Sequence, residues 1–353
     1  MNSRAILHSD LNSFYASVEM MLDPRLKGKA VAVCGATEDR HGIVLAKSEL
    51  AKKAGVKTGM VNWETKQKCK DLILVPPQYD QYLKYSKLTR AIYNRYTDMV
   101  EPFGMDECWI DVTQSGVYGS PMEIAEEIRQ SVREEIGMTV SVGVSFNKIF
   151  AKLGSDMKKP DAITEITQEN FREKVWPLHC SEMIYCGQAT TRKLENYGYH
   201  TIGDVAQADP AFLKRLLGIN GVALWQFAAG QDMSRVAHKD YVSPIKSVGH
   251  GITCVADLEN EEGSFGSCLS WPRTLAIASA CMSLPQGECR STSGPMTYME
   301  LSFSASSRYG RSCPRRLQQR ASSSFKSDIS GTTMSGQSAS ARSISRRRPC
   351  RIS

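Results

Sequence analysis

The chain has 353 residues, 41% of them hydrophobic and 23% charged, enough for two to four modest domains with proper cores. No apolar run approaches the roughly 20 residues needed to cross a bilayer, and Met1–His8 lacks the long apolar stretch of a signal peptide, which argues against a membrane partner and for a cytoplasmic protein. The net charge of +7 is uneven: Gly263–Ser353 holds 13 Lys+Arg against 3 Asp+Glu, which leaves the first 262 residues at −3.

In chain order, Ala5–Asp10 reads as a short apolar strand. Asn12–Met21 follows as a helix with Phe14, Val18 and Met21 on one face. Gln81–Tyr96 is helical, and Met99–Phe103 and Asp106–Val112 form a hairpin about Gly104 and Met105. Pro121–Ile136 is an amphipathic helix, with proline at its start and Ile124, Ile128, Val132 and Ile136 at i,i+4 spacing. Thr139–Ser145 alternates strictly, with Val140, Val142 and Val144 on one side. With the segment from Phe14 to about Pro77 set aside as a separate lobe, the order is βαββαβ. That is an α+β sheet with its helices on one face.

Beyond Glu262 the texture changes. About a quarter of the positions are Ser, twelve of the thirteen basic residues are Arg, and five of the chain's eleven cysteines appear there. Such a stretch buries too little apolar surface to offset chain entropy, so residues 263–353 are expected to be a disordered tail, or the product of a shifted reading frame, rather than a small domain. The cysteines have no CxxC pair or His-rich spacing, so neither a zinc site nor a disulfide framework is expected.

Asp10 ends the first strand, while Asp106 and Glu107 open the third, and in a βαββαβ sheet these strands are neighbours at the centre. Three converging carboxylates repel one another unless a hard, oxygen-preferring cation such as Mg²⁺ neutralises them. Two such ions about 3.5–4 Å apart would activate a 3′-hydroxyl and stabilise leaving pyrophosphate. Lys148 and Lys152 stand i,i+4 on the helix after the last strand, with Lys159 in the turn beyond, cations able to offset phosphate charge. Any one of these charges alone would be read as solvated. Further on, Met183–Thr191 with Gly187 and Ala189, then Arg192–Leu194 and Tyr197–Asp204, form a helix, a tight hairpin and a helix. Such an element offers backbone N–H groups to DNA phosphates without reading sequence. Leu216–Gly221 is a weaker second copy.

These residues resemble a known family. His8-Ser9-Asp10-Leu11-Asn12-Ser13-Phe14-Tyr15-Ala16-Ser17-Val18-Glu19 is similar to the opening motif of the DinB type of Y-family DNA polymerase, called DNA polymerase IV. The likeness continues through Gly42–Lys47, Met105-Asp106-Glu107, Val142-Gly143-Val144, Asn147–Lys152, Asp156–Pro160 and Ile245–His250, over roughly residues 1–260. It implies a right-hand fold. The palm would be 1–12 with 78–168, the fingers 13–77, and the helix-hairpin-helix thumb 169–233. A linker would run over 234–243 and an incomplete little finger over 244–262.

The resemblance also implies site roles. Two Mg²⁺ ions would be held by the catalytic Asp10, Asp106 and Glu107 with the Leu11 carbonyl. Tyr15 would exclude the 2′-hydroxyl of ribonucleotides. Phe14, Lys52 and Lys159 would meet the nucleotide, and Lys148, Lys152, Gly187, Ala189, Thr190, Thr191 and Lys246 would meet DNA. The chain departs from the pattern in places. Glu49 and Lys52 stand where relatives carry a Tyr-x-x-Arg pair, which loses the bidentate fork of arginine. Ala189 stands for a second hairpin glycine, and no Gln-x-x-Leu-Phe motif for the sliding clamp expected as a partner is present. The implied function is error-prone, poorly processive translesion synthesis by a monomer on primer–template DNA with dNTPs. The alternatives are a weakly active or non-catalytic DNA-binding remnant and, less well supported, a nucleotide cyclase, which would need neither a duplex grip nor a sugar filter.

Overall fold

The computed structural model describes residues 4–35, 42–244, 248–252, 289–293 and 299–303. The chain divides into two compact units, Met1–Tyr241 and Val242–Ser353. The first grows outward from strand β1 (Ile6–Leu11), buried along its whole length. Leu7 and Leu11 enter the main apolar core, while Ile6, His8 and Asp10 alternate onto the opposite face.

Helix α1 (Phe14–Leu22) starts after Ser13, whose φ of 49° turns the chain sharply out of the strand. The chain then leaves to build a separate small sheet from β2 (Val31–Cys34), β3 (Val44–Lys47) and, after helices α2 (Glu49–Lys53) and α3 (Asn62–Lys68), β4 (Ile73–Val75). Its order is β3-β2-β4, and its own core holds Ala32, Cys34, Val44, Ala51, Val56 and Leu72.

Helix α4 (Tyr79–Tyr93) returns to β1, followed by the hairpin β5 (Val100–Phe103) and β6 (Glu107–Asp111). Helix α5 (Pro121–Ser131) begins with a reciprocal Ser120–Glu123 capping box and proline in its first turn. It passes into one π turn over Val132–Ile136 and stops at Gly137, φ 80°. Strand β7 (Val140–Ser145), helix α6 (Lys148–Met157) and strand β8 (Ile163–Ile166) complete a sheet of order β5-β6-β1-β7-β8. Only β7 and β8 pair in parallel, and β8 adds a strand to the expected βαββαβ set.

The two helices of the βαββαβ set share one face of this sheet, as expected, and a further helix covers the other. Tyr82, Ile92, Tyr93, Ile124 and Ile128 pack against the Val140, Val142 and Val144 side. Helix α6 lies on the other, where β7 presents Ser141, Gly143 and Ser145. Small residues there leave room for a helix backbone to come into contact. A Cβ on Gly143 would stand 2.6 Å from the Ser155 amide nitrogen and closer still to the Ala151 carbonyl oxygen.

Helices α7 (Phe171–Val175), α8 (Gln188–Glu195), α9 (Ile202–Gln207), α10 (Pro210–Leu217) and α11 (Ile219–Ala228) share a core with Phe150 and Leu153 of α6. The segment expected as a linker is pinned to the first sheet rather than spanning free. Arg4 donates to the Ser234 carbonyl at 2.6 Å, Val236 is buried beside Ile6, Trp109 and Ala151, the Ala237 amide donates to Glu101 at 2.8 Å, and Lys239 pairs with Asp98 at 2.6 Å.

In the second unit, β9 (Val248–Ile252), β10 (Cys289–Ser293) and β11 (Met299–Phe303) form an antiparallel sheet of order β10-β11-β9. Two of these strands fall in the stretch expected to order no sheet. Met299-Glu300-Leu301-Ser302-Phe303 does alternate apolar and polar residues, a period-two signal hidden by the surrounding Ser and Arg. The rest of 263–353, with its expected disorder or shifted frame, lies outside the described residues, as does Lys246. Among the described residues no helix is long and apolar enough to cross a membrane. The described cysteines are free, and burial pushes the thiols of Cys34 and Cys180 up to about 11 and that of Cys108 to about 12, so these three remain neutral packing groups.

Candidate active site

Antiparallel pairing sets Asp10 directly opposite Glu107 across β1 and β6. The Leu11 amide donates to the Asp106 carbonyl at 3.0 Å, which draws the hairpin turn against the end of β1. Residues about a hundred positions apart thus bring three carboxylates to one end of the sheet. Glu107 and Asp10 lie on the face that α6 covers, and α6 supplies the countercharge. Lys152 donates to Glu107 at 2.8 Å and lies 3.6 Å from Asp156. Lys159, in the turn beyond α6, donates to Asp10 at 2.5 Å and to Asp156 at 2.7 Å.

The carboxylates titrate apart. Burial raises Asp10, Lys159 pulls it back and Glu107 pushes it up again, leaving it at about 7. Burial also pushes Glu107 up, but the neighbouring His8 and the hydrogen-bonded Lys152 ammonium outweigh it and hold Glu107 at about 2. Asp106 is raised by burial and then by the Glu107 charge. The site therefore carries an unmet electrostatic cost that a further cation would relieve.

Among the described residues no three Asp, Glu, His or Cys side chains already enclose a metal-sized space. Lysine ammonium groups stand against Asp10 and Glu107 instead. The donor set nonetheless fits a hard divalent ion: carboxylates at one end of two adjacent strands, two of them raised by burial, with flexible lysine ammonium groups that an ion can displace.

Tyr15 lies on the first turns of α1. Its ring stacks on Tyr82 at 4.2 Å and 9°, and its hydroxyl reaches the Met105 sulfur at 4.0 Å. Burial raises its phenol, with a further push from the Asp106 charge. Phe14 is buried beneath it in the core. Tyr82 is held in turn by donating to the buried carboxylate of Glu19, which also accepts from Gln78 at 2.7 Å. Lys52 stays exposed, 4.0 Å from Glu49, whose carboxylate accepts from Ser13 at 3.1 Å.

Two residues expected to meet DNA lie buried in the fold. Lys148 is buried, donating to Glu101 at 2.7 Å with its ammonium 4.2 Å from the Trp109 ring centre. Helical spacing alone could not show that its face points into the sheet. Thr191 is also buried, its hydroxyl donating to the Gly187 carbonyl at 3.2 Å. Gly187, Ala189 and Thr190 remain at the open start of α8, where no side chain caps the first amides. Gly218 begins α11 in the same uncapped way.

Sequence reasoning missed His8. Fully buried, it meets the Ser155 hydroxyl at 2.8 Å through Nδ1 and lies 3.4 Å from Glu107 through Nε2. Its even-numbered place on β1, in phase with Asp10, was the available signal.

The impB/mucB/samB family matches residues 9–156, which span all three carboxylates. DNA polymerase IV of Acetivibrio thermocellus is 54% identical over 260 residues, covering 73% of this chain and 65% of that protein. Residues 9–156 carry the domain of Y-family DNA polymerases. DNA polymerase IV 1 of Halalkalibacterium halodurans is 43% identical over 258 residues (73% of this chain, 62% of the relative), and DNA polymerase IV 1 of Bacillus subtilis is 43% identical over 264 residues (75% and 64%). The chain thus spans less than two thirds of the length of these relatives. A solved Y-family DNA polymerase chimera, Dbh-Dpo4(243-245)-Dbh, shares the fold at a TM-score of 0.80 and 21% identity, with 93% of this chain and 94% of that one covered.

Proposed function

We propose that the chain is an error-prone, poorly processive DNA-directed DNA polymerase for translesion synthesis, acting in the cytoplasm as a monomer on primer–template DNA and dNTPs. The observation that carries this reading is the placement of Asp10 opposite Glu107 with Asp106 in the adjoining turn, where burial raises both aspartates. Asp10, Asp106, Glu107 and the Leu11 carbonyl would hold two Mg²⁺ ions. Bound there, the ions would supply charge neutralisation for an attacking 3′-hydroxyl and a leaving pyrophosphate.

The chain's own residues do the rest. Lys159 and Lys152 exchange their carboxylate partners for nucleotide phosphates as the site fills. Tyr15, its ring fixed by stacking on Tyr82, excludes a ribose 2′-hydroxyl. The amides at the starts of α8 and α11 hold the duplex backbone without reading its sequence.

Single-nucleotide primer extension by the purified chain, with Asp106→Ala as control, tests the reading. Template-dependent incorporation by the parent alone supports it, and equal rates for both overturn it. The alternative is a weakly active or non-catalytic DNA-binding remnant, which the same assay detects as primer–template binding without extension. A sliding clamp remains the partner expected from the family, to be sought by co-purification.

A further inference from the structure

Asn12 has no role in the chemistry above, yet it is among the most fully bonded polar residues of the site. It is buried. Its amide donates to the Thr139 carbonyl at 2.9 Å and its carbonyl accepts from Ser17 at 2.7 Å. Its side-chain nitrogen donates to Ser141 at 2.9 Å. Its side-chain oxygen accepts twice, from the Thr139 hydroxyl at 3.0 Å and from the Asp161 backbone amide at 2.8 Å.

The last of these bonds joins the two segments that carry Asp10 and Lys159. Asp161 sits at φ 57°, a left-handed conformation uncommon for a residue other than glycine. Two restraints are visible. Asn12 takes the Asp161 amide, and Arg129, at 2.9 Å, together with Arg133 takes its carboxylate. Lys159 stands two residues before Asp161, as Asp10 stands two before Asn12. The bond from the Asp161 amide to the Asn12 side chain and the Lys159–Asp10 pair are thus successive rungs between the same two segments.

The geometry points to Asn12, Asp161, Arg129 and Arg133 as a positioning anchor that delivers Lys159 to the nucleotide phosphates; this rests on reading Lys159 as the cation that meets them. The lysine side chain must leave Asp10 when a nucleotide arrives, so its own ion pair cannot hold the turn in the working state. The anchor can, because none of its bonds involves Lys159 or Asp10. The amide of Asn12 suits the task better than a carboxylate. It both accepts from Asp161 and donates to Ser141, and it adds no negative charge beside Asp10 and Asp161.

The test is steady-state single-nucleotide incorporation by the full chain, comparing the parent with Lys159→Ala, Asn12→Ala, Asp161→Gly and the two doubles that include Lys159→Ala. Asp161→Gly keeps the left-handed backbone and the amide bond but releases the arginines, so it reports on the anchor with little risk to folding. Lys159→Ala is expected to raise KM for the dNTP. Asn12→Ala and Asp161→Gly should each raise KM at least about fivefold with kcat within about threefold, and neither should raise it further in the Lys159→Ala background. Amide hydrogen exchange gives a second readout, with Asp161 expected to exchange at least about tenfold faster in Asn12→Ala. If Lys159→Ala leaves KM unchanged, the reading of Lys159 has failed. If it raises KM but the Asn12 and Asp161 effects persist undiminished beside it, the anchor is overturned and the reading of Lys159 stands. Unchanged Asp161 exchange in Asn12→Ala overturns the anchor by itself.

Discussion

Replacing Gly143 by alanine is the most severe single-atom perturbation that the site's scaffold offers. The added Cβ would lie 2.6 Å from the Ser155 nitrogen, 2.9 Å from the Ala151 carbonyl carbon and closer still to its oxygen, where real Cβ atoms essentially never come within 3.0 Å. The obstacle is helix backbone, which cannot rotate away, so α6 must lift from β7 as a body. Overpacking of this kind costs about 1–3 kcal/mol, and a backbone obstacle places Gly143→Ala at the upper end or beyond.

Lifting α6 also draws Lys152 from Glu107 and Ser155 from His8, so incorporation should fall together with stability. Urea unfolding followed by circular dichroism measures the first effect: a loss of about 3 kcal/mol lowers the midpoint on the order of 1 M at unchanged slope. Gly187→Ala is the control, since a Cβ there meets nothing within 4 Å. If the Gly143→Ala midpoint moves no more than that of Gly187→Ala, α6 does not sit on β7 as described, and the placement of Lys152 falls with it.

Asp106→Ala should abolish nucleotide incorporation while leaving the fold intact. Millimolar Mg²⁺ should raise the melting temperature of the parent but not of this variant, because only the parent gains binding free energy from the ion; an equal rise in both would place the ion elsewhere. Tyr15→Ala should relax the preference for deoxyribonucleotides over ribonucleotides by at least roughly tenfold, about 1.4 kcal/mol, measured as the ratio of kcat/KM values. An unchanged ratio would make Tyr15 a packing residue. Asp10 keeps its proton to about pH 7 in the fold but only to about 4 when unfolded, so the folded state binds more protons in that window and stability declines as pH rises through it. Asp10→Asn escapes this decline and should gain on the parent by on the order of a few kcal/mol between pH 4 and 7 without divalent ions. A stability difference that stays flat across those pH values would show that burial does not strain Asp10.

Local pattern determined much of this protein. The apolar run of β1, the valine alternation of β7 and the Ser120–Pro121–Glu123 start of α5 are each readable within a few residues, because strand and helix periods and end caps are short-range physics. The convergence of Asp10, Asp106 and Glu107 followed once those elements were ordered as βαββαβ, since that order makes the first and third strands neighbours. Tertiary structure decided what each polar residue faces. Lys148 and Lys152 share a helical stripe in sequence, yet one is spent on Glu101 and Trp109 while the other neutralises Glu107. The roles of Asn12 and Asp161 carried no local signal because the partners that join their side chains to the site lie between about 30 and 150 positions away. Composition even misled where Met299–Phe303 was concerned, because Ser and Arg around it masked a strand that needs neighbours to form. A side chain's partner is set by which distant backbone the fold brings within about 3 Å of it, and no window of sequence contains that distance.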